Sequence, residues 1–162
     1  MPTIRLETFI KAPIELCFDL ARDVEVHIAS TSVTEERAVA GVTSGLMGLN
    51  DWVTWEAKHL GVRQRLTSKI TQMERPRMFV DEMQRGAFKS FRHLHLFESK
   101  DGGTLMKDEM TFVSPFGPLG KIADRMFLEN YMRRFLIIHN EYIKNLAEAK
   151  SLEAAPCQNR LR

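Results

Sequence analysis

Two histidines one residue apart, His93 and His95, are the side chains in this sequence best able to do chemistry. Alternate residues of an extended strand lie on one face, so both histidines share a face with Phe91 and Phe97. The two phenylalanines favour that face as the buried one. Asp108 follows on the next predicted strand after a short Asp-Gly-Gly turn, which brings its carboxylate near His93. A carboxylate in a poorly solvated site fixes the tautomer of a histidine and tunes it as an acid or a base.

These polar side chains allow several interpretations. They can satisfy one another inside the core, hydrogen-bond a bound ligand, or act as the acid–base groups of an enzyme. Alternate histidines on a strand can also share a metal ion, with Asp108 or His59 as a third ligand. Because the chain offers no second His/Cys pair with metal-ligand spacing, the sequence predicts no metal and no cofactor.

Aromatic and acidic residues on the neighbouring strands extend the predicted inward face. Trp52 and Trp55 fall on opposite faces of one strand, and Trp55 is predicted to face inward, where packing or ligand stacking would use it. Phe79 and Asp81 share a face of another strand, and an inward Asp81 would need a partner.

Two polar residues interrupt the apolar stripe of a C-terminal helical segment. Asn130 and Arg134 lie one turn apart and therefore project together. An inward Arg134 could bind the carboxylate head group of a ligand, and the alternative is that it reaches past the sheet edge to water. The complete set of predicted ligand-binding residues is Trp55, Phe79, Phe91, His93, His95, Met106, Asp108, Met110, Phe112, Met126, Asn130 and Arg134.

The elements that position these residues follow from hydrophobic periodicity. The pattern predicts a first strand over residues 3–10, two short helices after Pro13 and Asp23, and a strand over 34–42. Turn residues then divide the chain into strands over 51–59, 62–73, 78–84, 88–99 and 104–114. Apolar residues recur at helical spacing over 119–148, which predicts one long helix packed on the sheet. The 43–50 loop, with two glycines around Leu46, Met47 and Leu49, is predicted to be exposed and mobile.

Composition limits the class of protein. The chain has 162 residues and a mass of 18.7 kDa, with 44% hydrophobic residues and a net charge of +2. These values predict one globular domain and no nucleic-acid partner. Because hydrophobic periodicity is lost after the C-terminal helix, the domain is expected over 1–149 with a flexible tail over 150–162. No apolar run is long enough to enter a membrane, and Cys17 and Cys157 form no disulfide framework, so a cytoplasmic monomer or homodimer is expected.

Several stretches of the sequence match a pattern found in a known family. They are Ile10-Lys11-Ala12-Pro13, Cys17-Phe18-Asp19-Leu20, Ala40-Gly41-Val42-Thr43-Ser44-Gly45, Asp51-Trp52-Val53-Thr54-Trp55, Gly86-Ala87-Phe88-Lys89, Phe91-Arg92-His93-Leu94-His95-Leu96-Phe97-Glu98, Gly103-Thr104-Leu105-Met106-Lys107-Asp108 and Pro115-Phe116-Gly117. With these stretches the chain resembles bacterial members of the SRPBCC superfamily, which includes START lipid-transfer domains, the birch pollen allergen and polyketide cyclase/dehydrases.

This resemblance implies an α+β helix-grip fold, in which a curved antiparallel sheet of six to seven strands wraps around a long C-terminal helix. It also implies a cavity between the sheet and the helix, and hence a protein that binds a hydrophobic or amphipathic small molecule as a carrier or sensor. The alternatives are a cyclase/dehydrase-type enzyme that uses His93, His95 and Asp108 as acid–base groups, and a protein-interaction module of the chaperone-activator type.

Overall fold

The structure is a computed structural model, and it describes residues 2–59, 61–113 and 127–154. Seven strands and three helices account for most of them. In chain order they are β1 (Thr3–Ile10), α1 (Ile14–Ala21), α2 (Val24–Ser30), a 3-10 turn (Ser32–Thr34), β2 (Arg37–Gly41), β3 (Trp52–His59), β4 (Val62–Glu74), β5 (Met78–Arg85), β6 (Ser90–Lys100), β7 (Gly103–Val113) and α3 (Glu129–Ala154). The predicted order of elements is confirmed.

All seven strands form one antiparallel sheet in the order β1-β7-β6-β5-β4-β3-β2. From β2 to β7 each strand pairs with the next along the chain, and β1 closes the sheet beside β7. Short hairpins make these neighbours because the chain has no length for a crossover. Register shifts in β2 and β4 mark bulges, which bend a sheet. The fold is the predicted α+β helix-grip architecture.

The two short helices begin where the sequence places them. Pro13 precedes α1, where a missing backbone N–H costs no helical hydrogen bond. Asp23 caps α2, and its carboxylate accepts a hydrogen bond from the backbone N–H of Val26 at 3.0 Å. Both helices pack against α3.

The C-terminal helix α3 runs to Ala154, beyond its predicted end at residue 148. Apolar periodicity stops near Ala147, but the last turns are rich in good helix formers that need no apolar partner to remain helical. Residues 150–154 are therefore helical, and the prediction of a tail from residue 150 is wrong for them. The first part of the predicted helix, residues 119–126, lies outside the described residues, as does 155–162.

The 43–50 loop is more firmly attached than the sequence predicts. Met47 is buried, its backbone N–H donates to the carbonyl of Arg22 at 3.0 Å, and the Arg22 guanidinium donates to the Met47 carbonyl at 2.8 Å. The Gly45 N–H donates to the Glu25 carboxylate at 2.7 Å. The expectation of an exposed Met47 is wrong, because this side chain packs into the main apolar cluster beneath α1 and α2.

Candidate functional site

A layer of polar side chains crosses the inner face of the sheet between two apolar clusters. On β6, His93 and His95 lie between Phe91 in one cluster and Phe97 in the other. The same order, apolar then polar then apolar, recurs along β5, β7 and α3. We call the polar residues of these four elements the polar layer: Asp81, His93, His95, Asp108, His139 and Asn140.

Strand register explains how the β-strand members of the polar layer meet. Asp81 lies directly opposite His93 across the β5–β6 pair, and His95 lies opposite Asp108 across the β6–β7 pair. Directly opposed side chains on one face are neighbours, and diagonal ones are within reach of long side chains. The prediction that Asp108 comes near His93 is confirmed.

Asp108 contacts both histidines through one carboxylate oxygen. Its Oδ1 is 2.9 Å from Nε2 of His93 and 3.1 Å from Nδ1 of His95. Its Oδ2 accepts a hydrogen bond from Nδ2 of Asn140 at 2.7 Å. The Asp108 side chain is only 1% exposed, so these partners replace the water that a buried carboxylate has lost.

Asp81 stands on the opposite side of the same two rings. Its Oδ2 is 3.2 Å from Nε2 of His95 and 3.9 Å from Nδ1 of His93. Each imidazole therefore has one nitrogen at Asp108 and the other directed towards Asp81. The His95 ring also stacks on Phe79, with centroids 4.2 Å apart, so its orientation is fixed by both packing and hydrogen bonds.

The two histidines differ in proton affinity. Burial disfavours the charged form of His95, but hydrogen bonds to the carboxylates of Asp108 and Asp81 outweigh it and raise the pKa of His95 to about 9. Burial, together with the neighbouring His95 charge, lowers the pKa of His93 despite its contact with Asp108. One proton is thus held mainly on His95, and His93 is the neutral ring.

The two carboxyl groups remain ionised. Burial alone would raise the pKa of each, but hydrogen bonding to His95 holds the pKa of Asp81 below its usual value. Hydrogen bonds to His93 and His95 likewise hold the pKa of Asp108 far below its usual value. Asp81 and Asp108 therefore act as hydrogen-bond acceptors and supply negative charge to the polar layer.

The helix α3 brings a third histidine. The Ser30 hydroxyl donates its only hydrogen to the carbonyl of His27 at 2.7 Å. Ser30 Oγ must therefore accept in its second hydrogen bond, so the Nδ1–H of His139 donates to it at 2.6 Å. Burial, reinforced by the nearby His27, lowers the pKa of His139 well below its usual value. The His27 ring in turn packs on Trp55, with centroids 4.2 Å apart.

The polar layer opens onto a cavity of about 420 Å³ between the sheet and α3. Most of its wall is apolar. Asp81, His93, His95 and His139 of the polar layer form its base, and other polar side chains, including His27, Glu36 and Ser68, line it elsewhere. Such a cavity, apolar with a few convergent polar groups, is typical of small-molecule sites. No described helix is long and apolar enough to cross a membrane.

Half of the predicted ligand-binding residues line this cavity: Trp55, Phe79, Phe91, His93, His95 and Met110. Asp108 lies behind the histidines. Met106 and Phe112 are fully buried in the two apolar clusters and do not reach the cavity wall, so their prediction as lining residues is wrong. The alternation of side chains along a strand correctly placed them on the inner face of the sheet. Inner-face residues that other elements cover are buried in the core and do not line the cavity.

The predicted polar pair on the helix faces away from the cavity, which for Arg134 is the alternative of reaching water. Asn130 and Arg134 are both exposed and neither lines the cavity. Each lies two residues, about 200° of helical rotation, from Met132, which faces the core. The remaining predicted residue, Met126, lies outside the described residues.

The sequence reasoning missed the polar residues of α3 that do face inward. His139 and Asn140 are 5% and 3% exposed. Their signal was present: both lie between Leu136 and Ile143 at the helical spacing of the apolar stripe. Asp81 was recognised only as an inward acid without a known partner, because its distance to the histidines depends on strand register.

No family model and no curated protein matches the sequence. Solved structures do. TTHA0849 from Thermus thermophilus matches with a TM-score of 0.76 and 20% identity, over 93% of this chain and 99% of that chain. Ginseng major latex-like protein 151 from Panax ginseng matches with a TM-score of 0.62 and 13% identity, over 90% and 97%. Ara h 8.0201 matches with a TM-score of 0.62 and 15% identity, over 88% and 97%. At these identities the likeness establishes the fold.

Proposed function

We propose that this protein binds a hydrophobic or amphipathic small molecule in the cavity between the sheet and α3, as a carrier or sensor in the cytoplasm. The observation that carries this proposal is the cavity itself, since its volume of about 420 Å³ suits a ligand of drug-like size. A free, buried thiol at Cys17 is in keeping with a reducing compartment.

The chemistry of the wall favours an amphipathic ligand with one polar end. Trp55, Phe91 and Met110 offer flat and adaptable apolar surface. His93 and His95 offer polar contacts at the base, where a hydroxyl or carboxylate of the ligand would be bound. A ligand with an apolar body and a polar group directed at His93 and His95 therefore complements this part of the site.

The direct test is mass spectrometry of the purified protein under native conditions, to find a co-purified small molecule. The affinity of the apolar dye 1-anilinonaphthalene-8-sulfonate then tests the cavity. Ala57, which lines the cavity, is replaced in Ala57→Phe, and the exposed Ala149 of α3 is replaced in the matched control Ala149→Phe. Because the added ring occupies ligand volume, Ala57→Phe should weaken dye binding at least about tenfold, and the control should not.

Equal affinity in both variants, each folded by circular dichroism, would contradict binding in this cavity.

A second candidate function is acid–base catalysis, which the exposure of His93 and His95 to the cavity favours. A base or acid must be within reach of its substrate, and here both rings line the space that a ligand would occupy. Turnover of a polyketide-like or lipid substrate, lost in His95→Gln with unchanged binding of that substrate, would establish it.

A further inference from the structure

Three potential metal ligands converge at the base of the cavity. The Oδ2 atom of Asp81 is 3.2 Å from Nε2 of His95 and 3.9 Å from Nδ1 of His93, and one ligand atom from each of the three residues lies within 4.8 Å of the others. Tetrahedral Zn²⁺, with ligand bonds of about 2.0–2.1 Å, separates its ligand atoms by roughly 3.3 Å. Small side-chain adjustments would bring all three atoms to one ion.

The nitrogens that face away from this point are already held. His93 Nε2 and His95 Nδ1 both contact Oδ1 of Asp108, at 2.9 and 3.1 Å. Histidines that bind metals almost always donate their other ring N–H to a carboxylate or carbonyl, which fixes the tautomer. Donation to Asp108 leaves the lone pair of His93 Nδ1 available on the side of Asp81. At His95 Nε2 the ion takes the place of the proton that hydrogen-bonds to Asp81, because metal binding releases protons from its histidine ligands.

The carboxylate that orients the two histidines is itself held by a hydrogen bond from α3. Asn140 from α3 donates to the second oxygen of Asp108 at 2.7 Å, so the orienting carboxylate is itself fixed by the helix. Asp81, His93 and His95 line the cavity, while Asp108 is buried behind them. This division into ligands facing the cavity and a carboxylate behind them is the arrangement expected of a metal centre with open coordination positions.

Charge supports the same arrangement. Asp81 and Asp108 place two carboxylates within one poorly solvated site, and buried charge must be compensated. Once the ion has displaced the proton of His95, both histidines are neutral and a divalent cation balances the two negative charges. Two imidazoles and one carboxylate are ligands that suit divalent first-row transition metals better than Mg²⁺ or Ca²⁺, which prefer oxygen donors.

We propose that Asp81, His93 and His95 bind one divalent first-row transition-metal ion, with Asp108 as the positioning residue for both histidines. The sequence predicted no metal because it offers no second His/Cys pair, and the third ligands considered there were Asp108 and His59. The third ligand comes instead from β5, where pairing with β6 sets Asp81 opposite His93.

The open coordination positions face the cavity, and this gives the metal a role in ligand choice. An oxygen donor such as a carboxylate or hydroxyl on an apolar molecule would complete the coordination shell. This step rests on the proposed function, since it needs a ligand in the cavity, whereas metal binding by Asp81, His93 and His95 does not.

The test is titration of chelator-treated protein with Zn²⁺ in competition with a chromophoric chelator, and with Co²⁺ followed by visible absorption. We expect one equivalent of metal per chain. Asp81→Asn and His93→Gln should each weaken Zn²⁺ affinity by more than about 100-fold, and Asp108→Asn by about 10- to 100-fold. Asp81 is partly exposed, so Asp81→Asn is the variant least able to disturb folding.

Two controls separate this site from incidental binding by other histidines. His27→Gln changes a histidine that lines the cavity but is not a proposed metal ligand. His59→Gln removes the histidine that the sequence analysis considered as a possible third ligand. Both should keep wild-type Zn²⁺ affinity. Absence of stoichiometric binding, or equal affinity in Asp81→Asn and His27→Gln, would overturn the proposal.

The dye 1-anilinonaphthalene-8-sulfonate distinguishes this failure from failure of the proposed function. Chelator-treated protein that binds the dye but no metal would overturn the metal site and leave the cavity function standing. Protein that binds Zn²⁺ but no dye would support the metal site and overturn the cavity function.

Discussion

At the scale of single residues, the polar layer works as a connected set of hydrogen bonds. Asp108 accepts from Asn140 and contacts His93 and His95, so a buried carboxylate has a partner at each oxygen. Such networks stabilise a fold when every member is satisfied and become costly when one is removed. The polar layer is therefore a sensitive point for stability.

Asn140→Ala removes the partner of Asp108 Oδ2 and also a contact to Thr8 Oγ1 at 3.3 Å. Because a buried charged acceptor is then left without its donor, we expect the free energy of unfolding to fall by about 1–3 kcal/mol. Asn145→Ala, at an exposed position of the same helix, should change it by no more than about 0.5 kcal/mol. Urea unfolding followed by circular dichroism measures both. Equal effects would contradict a structural role for the Asn140 amide.

The neutral His139 should make stability depend on pH below neutrality. Its folded pKa lies well below 6.5, so the unfolded state binds a proton as pH falls through 6.5 while the folded state does not. Stability is then lost as pH falls, by up to about 1.4 kcal/mol per pH unit. The titratable groups around it are His27 on α2, His93 and His95 on β6, and Asp108 on β7.

His139→Gln keeps a hydrogen-bonding side chain at this position and removes the titration. Wild type should lose more stability than this variant between pH 7.5 and 5.5, measured by urea unfolding at each pH. The raised pKa of His95 makes stability change with pH in the opposite direction, because the stabilisation by His95 is complete below pH 6.5 and is lost as pH rises towards 9. Since His95 is present in both proteins, its contribution cancels in the comparison. Parallel pH profiles would refute the assignment to His139.

At the scale of elements, α3 is held to the sheet and the short helices by one stripe. Met132, Leu136, Ile143 and Ala147 are buried at helical spacing. Leu136 joins the cluster that contains Phe112, and Ile143 joins the cluster on the other side of the polar layer. The helix therefore packs into the apolar clusters on both sides of the polar layer.

Ile143→Ala tests the attachment of α3 through its buried stripe, and a substitution on the exposed side of the helix serves as the matched control. Ile143 is 1% exposed and Ile137, on the outer side of α3, is 44% exposed. Loss of buried methyl groups and the resulting cavity should cost about 2–5 kcal/mol of unfolding free energy in Ile143→Ala. Ile137→Ala should cost much less. Similar losses for both in thermal unfolding would mean that the helix is not held by this stripe.

At the scale of the whole molecule, the cavity leaves apolar surface unpacked inside a small domain. A ligand that fills it binds the folded state and has no site in the unfolded chain. Binding should therefore raise the stability of the entire molecule, because the sheet and α3 both contribute to the wall.

A dye or natural ligand at 100 times its dissociation constant should raise the unfolding free energy by about 2.7 kcal/mol. The shift in thermal midpoint with ligand concentration measures it. Ala149→Phe should show the wild-type shift, and Ala57→Phe a smaller one at the same concentration. A midpoint that does not change with ligand concentration would show that the ligand has no preference for the folded state, which contradicts binding in the cavity.

The sequence by itself determined the elements and the faces of the strands. Strand alternation, turn residues and short hairpins are local properties, so the antiparallel order and the inward direction of His93, His95 and Trp55 follow from neighbouring residues alone. The approach of Asp108 to the histidines also follows, because one short turn sets that register.

Only the tertiary structure decided which of the inward residues meet. Asp81 reaches His95 through the β5–β6 register, and Asn140 reaches Asp108 from a helix far along the chain. The rotation of α3 about its axis turned Asn140 inward and Arg134 outward, and no local pattern of polar residues fixes that rotation. The buried stripe fixes it, because the helix turns its apolar side chains away from water and carries whichever polar residues lie among them.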